Sequence, residues 1–226
     1  MRRRAVGQIA YVLAAVAAYE AARRSLSPAW PVAAQHAHDV LALERRLGIA
    51  WEAPLQHALA PLGGPLAVVY LAAQFGLTGV FFLWLYRAEP ERYARFRDAF
   101  MLATAVALLV QWRYPVAPPR LTGLHDTVFS LVPISVGNVT DPLAAMPSLH
   151  VGWAVGIGVG LWSRSRAAAL AYPALVTLAT LATGNHFVLD AVAGTAVMAL
   201  GFALARGLER RGAATIAVAT RGGAVR

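Results

Sequence analysis

His186 and Asp190 stand four residues apart in Thr183-Gly184-Asn185-His186-Phe187-Val188-Leu189-Asp190, where a short polar break meets a long apolar run. If that run is helical from Phe187 onward, the two side chains share one face, a turn apart. A carboxylate so placed can hold one imidazole nitrogen and leave the other free for chemistry. Ionisable groups in a membrane-length apolar segment are costly, which makes the pair a functional candidate. Alone, it is also compatible with a packed polar pair or half a metal site.

Two further clusters carry reactive side chains. In Met146-Pro147-Ser148-Leu149-His150, proline and serine open an apolar segment, so backbone N–H groups and a hydroxyl are presented at a helix start and His150 falls in the first turn. In Arg113-Tyr114-Pro115-Val116-Ala117-Pro118-Pro119-Arg120, two arginines flank prolines that fix φ and remove donors. The segment reads as a stiff extended strap. Its two guanidiniums suit a phosphate, through forked charge-assisted hydrogen bonds, or simply lipid headgroups.

The elements that must bring these clusters together are membrane helices. Of the 226 residues, 58% are hydrophobic and 14% charged, against about a quarter charged in soluble domains. Mean hydropathy is +0.55. Apolar segments fall at roughly 5–22, 63–86, 98–114, 149–163, 167–183 and 187–206, several approaching the ~20 residues that span a bilayer. The net charge of +9 comes from arginine alone, and the arginines punctuate apolar runs without forming a nucleic-acid stripe. With the N-terminus inside, 14 arginines fall on inside segments and 6 outside, as the positive-inside rule requires. The expectation is an all-α bundle of six transmembrane helices in the cell membrane, both termini cytoplasmic, with all three clusters on the extracytoplasmic side. Residues 1–211 form the membrane domain, and the Gly/Ala/Arg-rich 212–226 a disordered cytoplasmic tail. The Met1-Arg2-Arg3-Arg4 start followed by apolar residues reads as a first span and not a cleaved signal, because no cleavage site and soluble domain follow.

Between the first two spans, Val40 to Ile49 mixes apolar and charged residues at helical spacing. This suggests an interfacial helix flanked by Trp30 and Trp51 at headgroup depth. His36, His38 and His57 there read as solvated or interfacial. Gly152, Gly156 and Gly160 form a small-residue face for helix packing inside one bundle or between copies in a homo-oligomer. With no cysteine there is no disulfide and no thiolate metal site.

Two histidines, an aspartate, a serine and two arginines on one membrane side fit phosphoryl transfer. That chemistry needs a nucleophilic imidazole, an acid for the leaving group and cations for the oxygens. Together the clusters resemble the three signature motifs of the phosphatidic acid phosphatase type 2 superfamily: Lys-x6-Arg-Pro, Pro-Ser-Gly-His and Ser-Arg-x5-His-x3-Asp. Arg113-x6-Arg120 has arginine for lysine and Leu121 for proline. Pro147-Ser148-Leu149-His150 has leucine for glycine. His186-x3-Asp190 keeps the third motif's end, but Ala179 and Thr180 replace its Ser-Arg. The Pro-Ser-Leu-His form, the Pro-Pro-Arg-Leu strap, the Asn-His pair and Leu43-Glu44-Arg45-Arg46-Leu47-Gly48-Ile49 are more similar to the inositol phosphorylceramide synthase-like (inositolphosphotransferase) branch.

The resemblance implies that His186 is the nucleophile, that Asp190 orients it, and that His150 is acid and then base. Arg113, Arg120 and Ser148 would hold phosphate, and Thr183 or Asn185 could replace the absent arginine with a neutral donor. It implies a phospholipid or prenyl-phosphate substrate among membrane lipids, with neither metal nor cofactor. Hydrolysis and transfer to an alcohol differ only in what attacks the phosphohistidine. Two other readings stay open: a non-enzymatic lipid-binding or transport protein on the same fold, and a metal held by His150, His186 and Asp190.

Overall fold

The computed structural model describes Ala21, residues 30–131 and residues 143–222, with the side chains of Phe129, Leu131 and 212–222 set aside. The expected first span, at 5–22, lies outside the described residues apart from Ala21. Among those residues the chain is helical, and the one strand-like feature is an isolated parallel bridge between Val116 and Ala144.

Two surface helices come first, α1 (Trp30–Leu47) and α2 (Glu52–Ala58), joined through a turn at Gly48. Then α3 (Ala60–Ala88) runs on through a π turn at Ala73–Leu77, where the Thr78 hydroxyl donates to the Ala73 carbonyl at 3.0 Å. It is followed by α4 (Pro90–Arg113), a 3-10 turn at Pro119–Leu121 and the short α5 (Thr127–Leu131). The chain closes with α6 (Leu149–Leu161), α7 (Arg166–Ala182) and α8 (Val188–Gly222). The helix starting at Val188 continues into the tail expected to be disordered. Its run Gly212-Ala213-Ala214 to Ala219 is alanine-rich, and alanine is the strongest helix former.

Two helices, Ala60–Ala88 and Val188–Arg211, are long and apolar enough to cross a membrane, and α6 and α7 are shorter apolar helices. In the two long ones only 33% and 39% of the most apolar window is buried. Much of the remainder is exposed large apolar side chains such as Val68, Phe75, Val80, Val192 and Leu200. A core helix of a soluble domain hides such residues, so this is a surface suited to lipid.

The bundle is held from both ends. At the arginine-rich end, Phe96 packs edge to face with Phe81 and Phe202, and Phe100 with Phe82, in a cluster that includes Met198 and Ile157. Glu89 pairs with Arg92 and, at 2.8 Å, with Arg164. In hydrocarbon such packing rests on close van der Waals fit and not on water release, so small residues at crossings matter. The glycines of α6 meet this need inside the chain. A Cβ on Gly156 would strike the Phe100 ring, and one on Gly160 the Phe81 ring.

At the other end, α1 does more than lie on a surface. Its stripe Ala33, Ala37, Val40 and Glu44 is buried, while Trp30, Val32, Leu43 and Leu47 are exposed. The stripe packs on Val116, Ala117, Ala145 and Phe187, the backbone around the polar clusters.

Candidate active site

Three irregular segments converge under α1. Pro115–Pro118 is extended and buried, as the prolines require. It is pinned on both sides: Ala117 N donates to the Ala33 carbonyl at 3.1 Å. Val116 exchanges bonds with the 143–145 segment, its N–H to Leu143 at 3.2 Å and its carbonyl from Ala145 N at 3.0 Å. His36 fixes the same strap by a 2.8 Å bond to the Pro115 carbonyl and by stacking on Tyr114 at 3.9 Å. It is therefore a structural histidine and not a solvated one, whereas His38 and His57 are exposed.

The third segment is the turn between α7 and α8. Gly184 has φ +72°, which a side chain would strain. The turn closes with Gly184 N to Leu181 O at 3.0 Å and Asn185 N to Thr180 O at 3.0 Å. Its Gly184 carbonyl accepts from Arg120 N at 2.8 Å, which joins turn to strap.

His186 follows the turn, 5% exposed. Its Nδ1 lies 2.9 Å from the Ala145 carbonyl oxygen. A carbonyl only accepts, so in the neutral ring Nδ1 carries the hydrogen and Nε2 keeps its lone pair. Asp190 Oδ2 lies 3.4 Å from the same Nδ1 but accepts its short bond, 2.8 Å, from Phe187 N. The helix begins at Val188, two residues after His186, so the carboxylate is a cap as well as a neighbour. It reaches back from the third helical position to the N-cap N–H. The expectation that Asp190 alone holds the imidazole is thereby refined: the Ala145 carbonyl orients the ring, and Asp190 stands beside it as the charge.

His150, in the first turn of α6, has its ring centroid 5.7 Å from that of His186. The same ring stacks on Tyr70 of α3 at 4.1 Å and 18°. Ser148 is fully buried as the N-cap of α6, with Oγ accepting from Val151 N at 3.3 Å. Its own N–H donates to the Asp190 carbonyl at 2.9 Å, tying the second cluster to the third.

Arg120 is pulled into the site, its side chain 5% exposed. Nε donates to Asn185 Oδ1 at 2.9 Å and Nη1 lies 3.9 Å from Asp126 Oδ2. Asn185 Nδ2 in turn donates to Thr183 Oγ1 at 2.8 Å, and the Thr183 hydroxyl donates to Ala179 O at 2.6 Å. Thr183 and Asn185 thus spend their donors inside the turn. Through Asn185 Oδ1 this chain of bonds reaches Arg120. Arg113 ends α4, exposed, with no hydrogen bond or ion pair among the described residues, apart from this network.

Three acidic side chains meet the start of α8. Phe187 N–H goes to Asp190, Val188 N–H to Glu52 Oε1 at 2.8 Å, and Leu189 N–H to Glu44 Oε1 at 2.7 Å. Glu44, Glu52 and Tyr70 join the site from outside the three clusters. The sequence signal for Glu44 was its register, since it continues the stripe of Ala33, Ala37 and Val40 at three- and four-residue steps. Tyr70 and Glu52 carried no comparable signal.

The arrangement can bind an oxyanion against Arg120, attack it with an imidazole nitrogen and protonate a leaving group from a second imidazole. A family model described as PAP2 superfamily matches residues 38–204, a stretch that contains every one of these groups. The chain belongs to the PAP2 superfamily, whose members are phosphatases or phosphotransferases. No curated protein and no solved structure matches it significantly.

Proposed function

We propose that this PAP2-superfamily chain is a membrane-embedded lipid phosphatase or phosphotransferase that works on a lipid-linked phosphate ester through a phosphohistidine, at the outer leaflet. The observation that carries the reading is the tautomer of His186. Its Nδ1–H is committed to the Ala145 carbonyl at 2.9 Å, so the lone pair is on Nε2. In the first step that pair forms an N–P bond while the ester P–O bond breaks, and the leaving oxygen takes a proton from His150. The imidazolium formed gains from Asp190 Oδ2, 3.4 Å from Nδ1. In the second step His150 takes a proton from water or an alcohol, whose oxygen attacks phosphorus, and the N–P electrons return to Nε2. Arg120 holds the non-bridging oxygens, and Arg113 supplies a second cation at the mouth, where the lipid headgroup enters.

Replacing His186 with alanine should lower turnover by at least ~10³-fold, and His150→Ala by about 10²- to 10⁴-fold with phosphoenzyme accumulating. Near-wild-type activity in His186→Ala sinks the mechanism. The Pro-Ser-Leu-His and Pro-Pro-Arg-Leu motifs favour a second reading, transfer of a phospho-headgroup such as phosphoinositol to a lipid or sugar alcohol. A panel of phospholipids and prenyl phosphates, followed for free phosphate and for new lipid products, separates the two. Free phosphate alone means hydrolysis, and a new phospholipid without free phosphate means transfer.

A further inference from the structure

Glu44 and Glu52 approach the reacting histidine from outside the three motifs. They come from different helices, α1 and α2, and end on adjacent amides of a third, the N–H groups of Val188 and Leu189. The first amides of a helix have no partner within it, so these two carboxyls, with Asp190 on Phe187, satisfy the opening donors of α8. Both are buried, Glu44 fully and Glu52 to 3% exposure. Glu44 Oε2 has no partner among the described residues. Such an oxygen, buried and unpaired, is destabilising unless a proton supplies its bond. Both charged groups that act on Glu44 from the elements packed against it are negative: Glu52 of α2 and Asp190 of α8.

Two carboxylates held on adjacent amides of one buried helix start repel each other strongly when both are ionised. One proton between them removes the repulsion and gives the orphaned oxygen its bond. We propose that Glu44 and Glu52 form a carboxyl pair sharing one proton, which clamps the first turn of α8 and so positions His186 and Asp190 for attack. They are positioning residues and touch no reacting atom. The role rests on the phosphohistidine reading above, because what they position is its nucleophile.

The pair is pH-sensitive in a defined direction. Burial, and then the carboxylates of Glu52 and Asp190, push Glu44 from its ordinary 4.5 to about 8 against the opposing bond from Leu189. A carboxyl raised in the folded state stabilises fully below its unfolded value and loses that contribution as pH climbs to the folded one. The clamp is therefore tightest in mild acid, weakens as pH climbs toward about 8 and has lost this contribution above it. Glutamine at position 44 keeps an acceptor for Leu189 and donates where the proton was, so it locks the clamp at any pH.

The test uses the full chain in detergent, with hydrogen exchange of the Val188 and Leu189 amides read by mass spectrometry and orthovanadate as the phosphoryl probe. At pH 6.5, Glu44→Ala should speed exchange and weaken vanadate binding, each by about tenfold or more, while Glu44→Gln stays within about threefold of wild type. Between pH 6.5 and 9, corrected for base-catalysed intrinsic exchange, wild type and Glu52→Asp should loosen and Glu44→Gln should not. Should Glu44→Ala fail to fold, this comparison alone decides. Parallel pH behaviour of wild type and Glu44→Gln overturns the shared proton, and looser amides with unchanged vanadate affinity overturn the positioning role. Failure of vanadate to bind wild type would count against the phosphoryl reading instead, leaving exchange to decide the clamp.

Discussion

Because the His186 ring is oriented by a backbone carbonyl 41 residues away, the spacing of His186 and Asp190 alone did not reveal what holds it. The spacing His186-x3-Asp190 was legible and correctly put the two side chains together, at 3.4 Å. The spacing could not show that the helix starts only at Val188, or that Asp190 spends its best bond on Phe187 N–H. Asp190→Asn should therefore retain the shape but lose the charge beside the imidazolium. Turnover should fall about 10²-fold or more with little change in melting temperature, whereas Asp190→Ala should lower both. Asn185 gives a second prediction of this kind. Its Oδ1 is an acceptor for Arg120 Nε at 2.9 Å, and a hydrogen bond to a charged group is worth about 1.5–3 kcal/mol. Asn185→Ala should raise the KM for lipid phosphate by about tenfold or more and slow the chemical step less severely than Arg120→Ala does. An unchanged KM in Asn185→Ala counts against its part in aiming Arg120. Tyr70, stacked on His150, was invisible to motif reasoning because a tyrosine in an apolar run reads as core. Tyr70→Phe keeps the stack and should stay active, and Tyr70→Ala should resemble a mild His150 variant.

At the scale of elements, the site depends on how closely α6 and α8 cross. A Cβ on Gly194 would sit 2.1 Å from the Ser148 carbonyl oxygen, and one on Gly152 would sit 2.8 Å from the Gly194 carbonyl. The two helix backbones touch at the level of Ser148, whose N–H holds the Asp190 carbonyl. The glycine spacing in α6 was readable as a packing face, and its partners inside the chain are the glycine of α8 and the aromatic rings of α3 and α4. Gly194→Ala forces these helices apart; overpacking costs about 1–3 kcal/mol. It should separate Ser148 from Asp190 and lower activity by more than the fall in melting temperature explains. An active Gly194→Ala of unchanged stability would show that the crossing is wider than 2.1 Å implies. The apolar segments 63–86, 149–163 and 167–183 lie within about three residues of α3, α6 and α7, whereas α4 begins at Pro90, where the charged stretch Arg92–Asp98 hid its start, and α8 runs past 206 to Gly222. Helix α1 was expected at an interface. Its inward stripe, and the way it roofs the strap and Ala145, depend on contacts between distant segments that no local pattern encodes.

For the whole molecule, helix lengths bear on where the site lies. At 1.5 Å per residue, the 29 residues of α3 extend about 43 Å, while the 13 residues of α6 extend only about 20 Å. A hydrocarbon core is ~30 Å thick. If α6 reaches the arginine-rich end, where Glu89 binds Arg164, its other end and His150 lie well below the opposite surface. Non-helical backbone at that depth is stable only where protein covers it and its hydrogen bonds are made internally. The strap and the 143–148 segment meet that condition, with Val116, Ala117, Ala145 and Pro147 buried and the Val116–Ala145 bonds formed. The distribution of arginines is the ground for proposing that this recessed site faces the extracytoplasmic side, and the chain's lack of cysteine makes that proposal directly measurable. A membrane-impermeant maleimide should label Thr122→Cys in intact cells and Arg166→Cys only after permeabilisation, since the two positions border opposite ends of the bundle. Labelling in the reverse order would put the phosphoryl chemistry on the cytoplasmic leaflet and invert the proposed orientation, with the geometry of the site itself left intact.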